Sequence, residues 1–116
     1  MLAQLQSRPT LIVTIIKYEH RLDGSFEQFK AIVQLVDGSR LHINEVWLNG
    51  ALHKYAYYWL TVTHHVIQGW DNAPHHPEIS THPHHTHVSG QVHTSPVGQL
   101  ADVLNILERR LVGGTN

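Results

Sequence analysis

The sequence predicts an α+β fold, an antiparallel β-meander of about five strands with one C-terminal amphipathic helix packed on one face. Three observations lead there. Gln28 to Val36 alternates, with Phe29, Ala31, Val33 and Leu35 on one parity and Gln28, Lys30 and Gln34 on the other, which is the period of a half-buried strand. The dipeptides Asp23-Gly24, Asp37-Gly38 and Asn49-Gly50 separate four successive runs of strand character and supply the positive φ angles that tight hairpins need. Leu100, Val103, Leu104, Leu107 and Leu111 recur at three- and four-residue steps, the apolar stripe of a helix.

In chain order, Thr10 to His20 is rich in β-branched residues and reads as the first strand, followed by Gln28 to Val36 and Arg40 to Leu48. Lys54 to Val62 carries Tyr55, Tyr57, Tyr58 and Trp59. An aromatic strand of this kind packs into a core, and alternation puts Tyr57 and Trp59 inside with Tyr58 facing the other way. His65 to Asp71 is a short fifth strand, so residues 10–72 form the sheet. Residues 73–95 then read as a long loop, because Ala73 to Val97 holds four of the five prolines and seven of the twelve histidines without apolar periodicity. The helix covers residues 96–112, with Ser95 as N-cap, Pro96 at the first helical position, Arg109 and Arg110 at the negative end of the dipole, and Gly113 as terminator.

With 116 residues the chain makes one domain, 1–116, with a single core. Apolar residues are 41% and charged residues 15%, which excludes a solvated disordered chain. The absence of cysteine excludes disulfide scaffolds, cysteine-ligated zinc, iron-sulfur clusters and thiol catalysis. The longest apolar run near the start, Leu11 to Ile16, falls far short of a membrane span, and Met1 to Thr10 lacks the charged start and apolar stretch of a signal peptide. A cytoplasmic protein without membrane contact is expected. Eight Lys and Arg face nine Asp and Glu, so any grip on nucleic acid is local or aided by protonated histidines.

The chemistry concentrates in the tract Trp70-Asp71-Asn72-Ala73-Pro74-His75-His76-Pro77, continuing through Glu78 to His82-Pro83-His84-His85-Thr86-His87. Imidazole both accepts and donates a proton near neutrality, so several rings in one pocket supply a general base and a general acid. Neutral imidazoles equally bind zinc, nickel or copper, and His76, His82, His85 and His87 are the candidate ligands, with Asp71 or Glu78 adding an oxygen. A polar loop whose histidines only bond to loop carbonyls is the third reading. Glu45 shares parity with Leu41, Ile43 and Trp47. An acid on an apolar face is costly unless it is paired, and such positions tend to be functional, although a bulge would turn it outward. Asp71 and Asn72 either orient an imidazole or begin a turn.

The blocks Asp71 to His76 (DNAPHH), Pro83 to His87 (PHHTH) and Leu100 to Leu104 (LADVL) resemble the TumE family of small toxin components of prokaryotic toxin-antitoxin systems. Asp37 to Leu41, Glu45 and Tyr57 to Trp59 also look like that family's pattern, which extends the resemblance from about residue 29 to 107. The chain departs from it at His82, where the family carries an aromatic residue, and at Thr86, where it carries a basic one. The resemblance implies a cytoplasmic toxin encoded beside a helix-turn-helix antitoxin that masks it, and a cation contacting RNA at position 86 that this chain lacks.

The histidines suggest a metal-independent endoribonuclease. His75 or His76 takes the proton of a ribose 2′-hydroxyl, and His84, His85 or His87 protonates the leaving 5′-oxygen. Glu45 or Asp71 holds one ring in its productive tautomer, Tyr58 stacks a base, and Asn72 and Arg40 contact substrate. Two alternatives stay open: a hydrolase using zinc or a similar divalent metal in the same loop, and a non-catalytic module that docks RNA or the antitoxin. A sheet covered on one side only also leaves a face on which a homodimer could form.

Overall fold

The computed structural model describes residues 1–113, so the last three residues of the expected 1–116 domain lie outside the described residues. Seven strands form one antiparallel sheet in sequential order: β1 (Ile12–Asp23), β2 (Phe26–Leu35), β3 (Arg40–Leu48), β4 (Ala51–Leu60), β5 (Val66–Asp71), β6 (His85–Val88) and β7 (Gln91–Thr94). A short helix α1 (Leu2–Gln6) precedes the sheet and α2 (Leu100–Leu111) follows it. The α+β class and the meander are as expected from sequence, but the count of about five strands is too low.

The two additional strands lie inside the segment read as a loop. Once β5 is in place its outer edge offers unpaired backbone groups, and His85 to Val88 takes them up, pairing Asp71 with His85 and Gly69 with His87. Buried backbone groups require such partners, so tertiary context overrides a composition poor in strand formers. β7 then returns through Ser89-Gly90, both at positive φ (52° and 75°), the geometry of a two-residue hairpin turn that glycine adopts without strain.

Two further boundaries differ. α1 is five residues long, too short to show a helical stripe. α2 begins at Leu100 instead of 96, because its first turn is capped by Asp102, whose carboxylate accepts from the backbone N–H of Gly98 (2.9 Å) and Gln99 (3.2 Å). Ser95 is buried ahead of the helix and accepts from the Val97 N–H (3.1 Å), so neither Ser95 nor Pro96 opens α2.

Alternation gives the sheet two unlike faces. One presents Val33, Leu35, Leu41, Ile43, Tyr55, Tyr57, Trp59 and Trp70, which join Leu100, Val103, Leu104 and Leu107 of α2 and Leu5 of α1 in a single core. Arg110 of α2 lies over the Trp59 ring at 5.8 Å and donates to Gln68 (2.9 Å); Arg8, just after α1, pairs with Glu108 at 3.3 Å. The other face has no helix over it among the described residues. No helix is long and apolar enough to cross a membrane.

The helix is held chiefly by burial, so Leu104→Ala, at a side chain 1% exposed, should destabilise the domain by about 2–5 kcal/mol. Urea unfolding reads this directly; a loss below about 1 kcal/mol would mean that α2 is not packed on the sheet as described.

Candidate functional site

The pairing of β4, β5 and β6 determines which side chains meet. Tyr58 lies opposite Gly69, Gly69 opposite His87, and Asp71 opposite His85. Residues two apart on a strand share a face, so Tyr58, Asp71, His85 and His87 all stand on the uncovered face.

Asp71 is the hub of this group and is only 8% exposed. Its Oδ1 accepts from the Ala73 N–H (3.0 Å) and lies 2.9 Å from His85 Nε2. Its Oδ2 accepts from the Tyr58 hydroxyl (2.8 Å) and lies 3.2 Å from His87 Nε2. A buried carboxylate needs this many partners to offset its desolvation. The Tyr58 hydroxyl is pushed up well above the ordinary phenol range, first by burial and then by the bond to Asp71 and its charge, so it stays a donor.

The two rings on Asp71 are not equivalent. His85 is 2% exposed and its Nδ1 donates to the Pro83 carbonyl (2.9 Å). With Nδ1 on that carbonyl and Nε2 against Asp71 inside the cluster, neither nitrogen of His85 is open to substrate. His87 is half-buried and uses only Nε2 on Asp71, which leaves Nδ1 free for a further partner.

His76 completes the cluster from the segment between β5 and β6. Its ring packs edge-on to His85 (5.1 Å between centroids) and to His87 (6.3 Å). Its Nδ1 lies 3.2 Å from Glu78 Oε2, and the Glu78 carboxyl is held below its ordinary range by a backbone N–H and, after it, by the His76 ring. His76 and His87 are therefore alike: each has one nitrogen on a carboxylate and the other free.

The remaining expected site residues lie elsewhere. His84 faces the core side, where its Nδ1 bonds to the Tyr55 hydroxyl (2.6 Å), which in turn donates to the Val97 carbonyl (3.0 Å). His75 and His82 are exposed. Glu45 is on the core face as its parity indicated, 4% exposed, accepting from Trp47 Nε1 (2.9 Å) and the Tyr57 hydroxyl (2.6 Å); the sheet separates it from His76, His85 and His87, and its bonds go to no imidazole. Asn72 spends its amide on backbone, accepting from the Tyr55 N–H (2.9 Å) and donating to the His53 carbonyl (3.1 Å). Arg40 is half-buried at the start of β3. Thr86 is 7% exposed on the core face and donates to the Gly69 carbonyl (2.7 Å), so position 86 does not face the histidines.

Sequence reasoning missed Gly69. A Cβ built there would stand 2.2 Å from Tyr58 Cε1 and 2.5 Å from Cδ1, so the Tyr58 ring lies flat over the β5 backbone and reaches Asp71 only because residue 69 has no side chain. An isolated glycine inside a strand pattern is the signal that marks such an approach.

The cluster also offers a metal-ligand set. Asp71, His85 and His87 each present a ligand atom within 4.8 Å of the others, and the hold of the Pro83 carbonyl on His85 Nδ1 is what fixes a metal-binding imidazole. These residues fit a divalent transition metal; His82 is not among them.

A family model described as Toxin TumE matches residues 2–111. No curated protein and no solved structure matches the chain.

Since Gly69 admits the Tyr58 ring, Gly69→Ala should cost about 1–3 kcal/mol by overpacking. The same change in a Tyr58→Ala background should cost less by at least half, a coupling that a double-mutant cycle in urea measures. Strictly additive losses would show that the ring does not occupy this position.

Proposed function

The chain belongs to the TumE toxin family, and from that premise we propose that it is a toxin acting as a metal-independent endoribonuclease, with His76 and His87 as the acid–base pair. The observation that carries this reading is the matched state of the two rings, each oriented by a carboxylate, 6.3 Å apart, with one nitrogen free. One phosphodiester can hydrogen-bond to both at ordinary distances of about 2.8 Å.

One free nitrogen accepts the proton of a ribose 2′-hydroxyl as that oxygen attacks phosphorus. The other ring, entering the step as the imidazolium, donates the proton on its outward nitrogen to the departing 5′-oxygen, leaving a 2′,3′-cyclic phosphate and a 5′-hydroxyl. Asp71 and Glu78 hold the rings so that the free nitrogens face the reacting group, as the carboxylate does in other carboxylate–imidazole pairs. His85, with Nδ1 on the Pro83 carbonyl and Nε2 against Asp71, is the buried platform beneath them. Each transfer contributes on the order of 10² to 10⁴ in rate.

Membership of a toxin family suggests an antitoxin partner, and we infer a small helix-turn-helix protein that covers the histidine face. A second reading rests on the convergence of Asp71, His85 and His87. There a zinc-like ion held by these three would supply an activated water, with His76 beside it.

Single-stranded RNA incubated with the purified chain decides among these. His76→Ala and His87→Ala should each slow cleavage by about 10²-fold or more, a 2′-deoxy substitution at the scissile nucleotide should abolish it, and EDTA should leave it unchanged. Activity lost in EDTA and restored by zinc establishes the metal reading. Growth arrest undiminished in the double histidine variant establishes a non-catalytic binding module.

A further inference from the structure

Beside the histidine cluster, the uncovered face holds a groove of about 260 Å³ lined by Lys17, Lys30, Ile32, His42, Asn44 and Tyr58. These residues form one continuous track across four strands, because Lys17 pairs with Ile32, Ile32 with His42, Lys30 with Asn44, and His42 with Tyr58. Three strand spacings, about 14 Å, separate its two ends. Tyr58 is the wall shared by groove and cluster: on one side it lines the groove, and on the other it donates to Asp71 and stacks at 6.2 Å on His87.

The lining is chemically mixed in an ordered way. Lys17 and Lys30 stand exposed at the far end. Lys17 is paired with Glu19 at 3.0 Å, whereas Lys30 has no ion pair among the described residues. The middle is apolar, with Ala31, Ile32 and Ala56. Burial first, and then the neighbouring His64 and Arg40, hold the His42 ring below its ordinary range. Its Nε2 is buried without a hydrogen-bond partner, an uncommon state that marks an unmet polar demand beneath the groove.

We propose that this groove binds the part of a single-stranded RNA flanking the scissile phosphate, with a base against Tyr58 and the apolar floor and backbone phosphates on Lys17 and Lys30. The inference rests on the ribonuclease reading for the identity of the ligand, and on the groove alone for its place. An aromatic wall, an apolar floor and terminal cations are what an unstacked nucleotide requires. A duplex would need a broad basic surplus, and the chain has eight Lys and Arg against nine Asp and Glu. The shared Tyr58 makes the track continuous with the acid–base pair.

The test is anisotropy titration of a fluorescent 2′-O-methyl oligoribonucleotide, which cannot be cleaved, with the full-length chain. Lys17→Ala/Lys30→Ala should weaken binding about tenfold and make the salt dependence shallower by roughly 0.7 in log–log slope for each phosphate no longer neutralised. Lys17→Arg/Lys30→Arg should restore binding, and the His76→Ala/His87→Ala variant, assayed for cleavage of unmodified RNA, reports on the acid–base pair separately. Unchanged affinity and slope in the double alanine variant would overturn the groove assignment, as would a parent chain that binds no oligonucleotide. Loss of antitoxin binding with RNA binding intact would assign the groove to a protein partner and also overturn it. If the lysine variant loses binding while the histidine variant still cleaves RNA, the groove stands and the acid–base assignment falls.

Discussion

A carboxylate buried in a sheet has to be surrounded by donors, and the arrangement around Asp71 is the consequence. Four groups from three segments of the chain converge on its two oxygens: the Tyr58 hydroxyl from β4, the Ala73 N–H just beyond β5, and the His85 and His87 rings from β6. None could be removed without leaving a buried acceptor short of a partner, which typically costs more than an ordinary hydrogen bond contributes. The same demand fixes what the rings can do. By engaging one nitrogen of His87 and leaving the other free, Asp71 turns a side chain with two equivalent options into one with a defined tautomer and direction.

The division of labour between the two faces follows from strand alternation. The core face takes the large aromatics and α2, and it satisfies its own polar atoms internally: Glu45 with Trp47 and Tyr57, Ser39 with Trp59 Nε1. The uncovered face carries the titratable and cationic side chains in reach of solvent. A sheet built this way gives rigidity to a site that would otherwise lie on loops, since Tyr58, Asp71, His85 and His87 all stand on paired strands. His76 alone comes from the connecting segment, held by Glu78 and by packing against the other rings.

Much of the architecture was legible because it depends on local periodicity. β3 runs from Arg40 to Leu48 as the alternation predicts, and Tyr57, Trp59 and the α2 stripe from Leu100 to Leu107 are buried as their spacing requires. β6 and β7 were not legible, because four residues such as His85-Thr86-His87-Val88 form a strand only when β5 offers them an edge. That error hid the main feature of the site. Read as a loop, His85 and His87 have no fixed relation; read as a strand, an interval of two puts them on one face, and pairing puts Asp71 opposite. Composition and clustering identified the histidines as a group, but could not separate His84, which turns to Tyr55, from its neighbours. Glu45 was placed on the correct face, yet its partners make it part of the core. Gly69 carried a readable sign, a glycine within a strand, whose meaning depended on knowing that Tyr58 lies across it.

The central claim is that Asp71 and Glu78 fix the tautomers of His87 and His76 so that one nitrogen of each is free. Long-range ¹H–¹⁵N correlation spectra of the histidine rings at neutral pH test this most directly. The arrangement requires a proton on the carboxylate-facing nitrogen of each ring, Nε2 of His87 and Nδ1 of His76, with at least one of the two outward nitrogens bare to act as base. Rings that average between tautomers, or a His87 with its only proton on Nδ1, would contradict it.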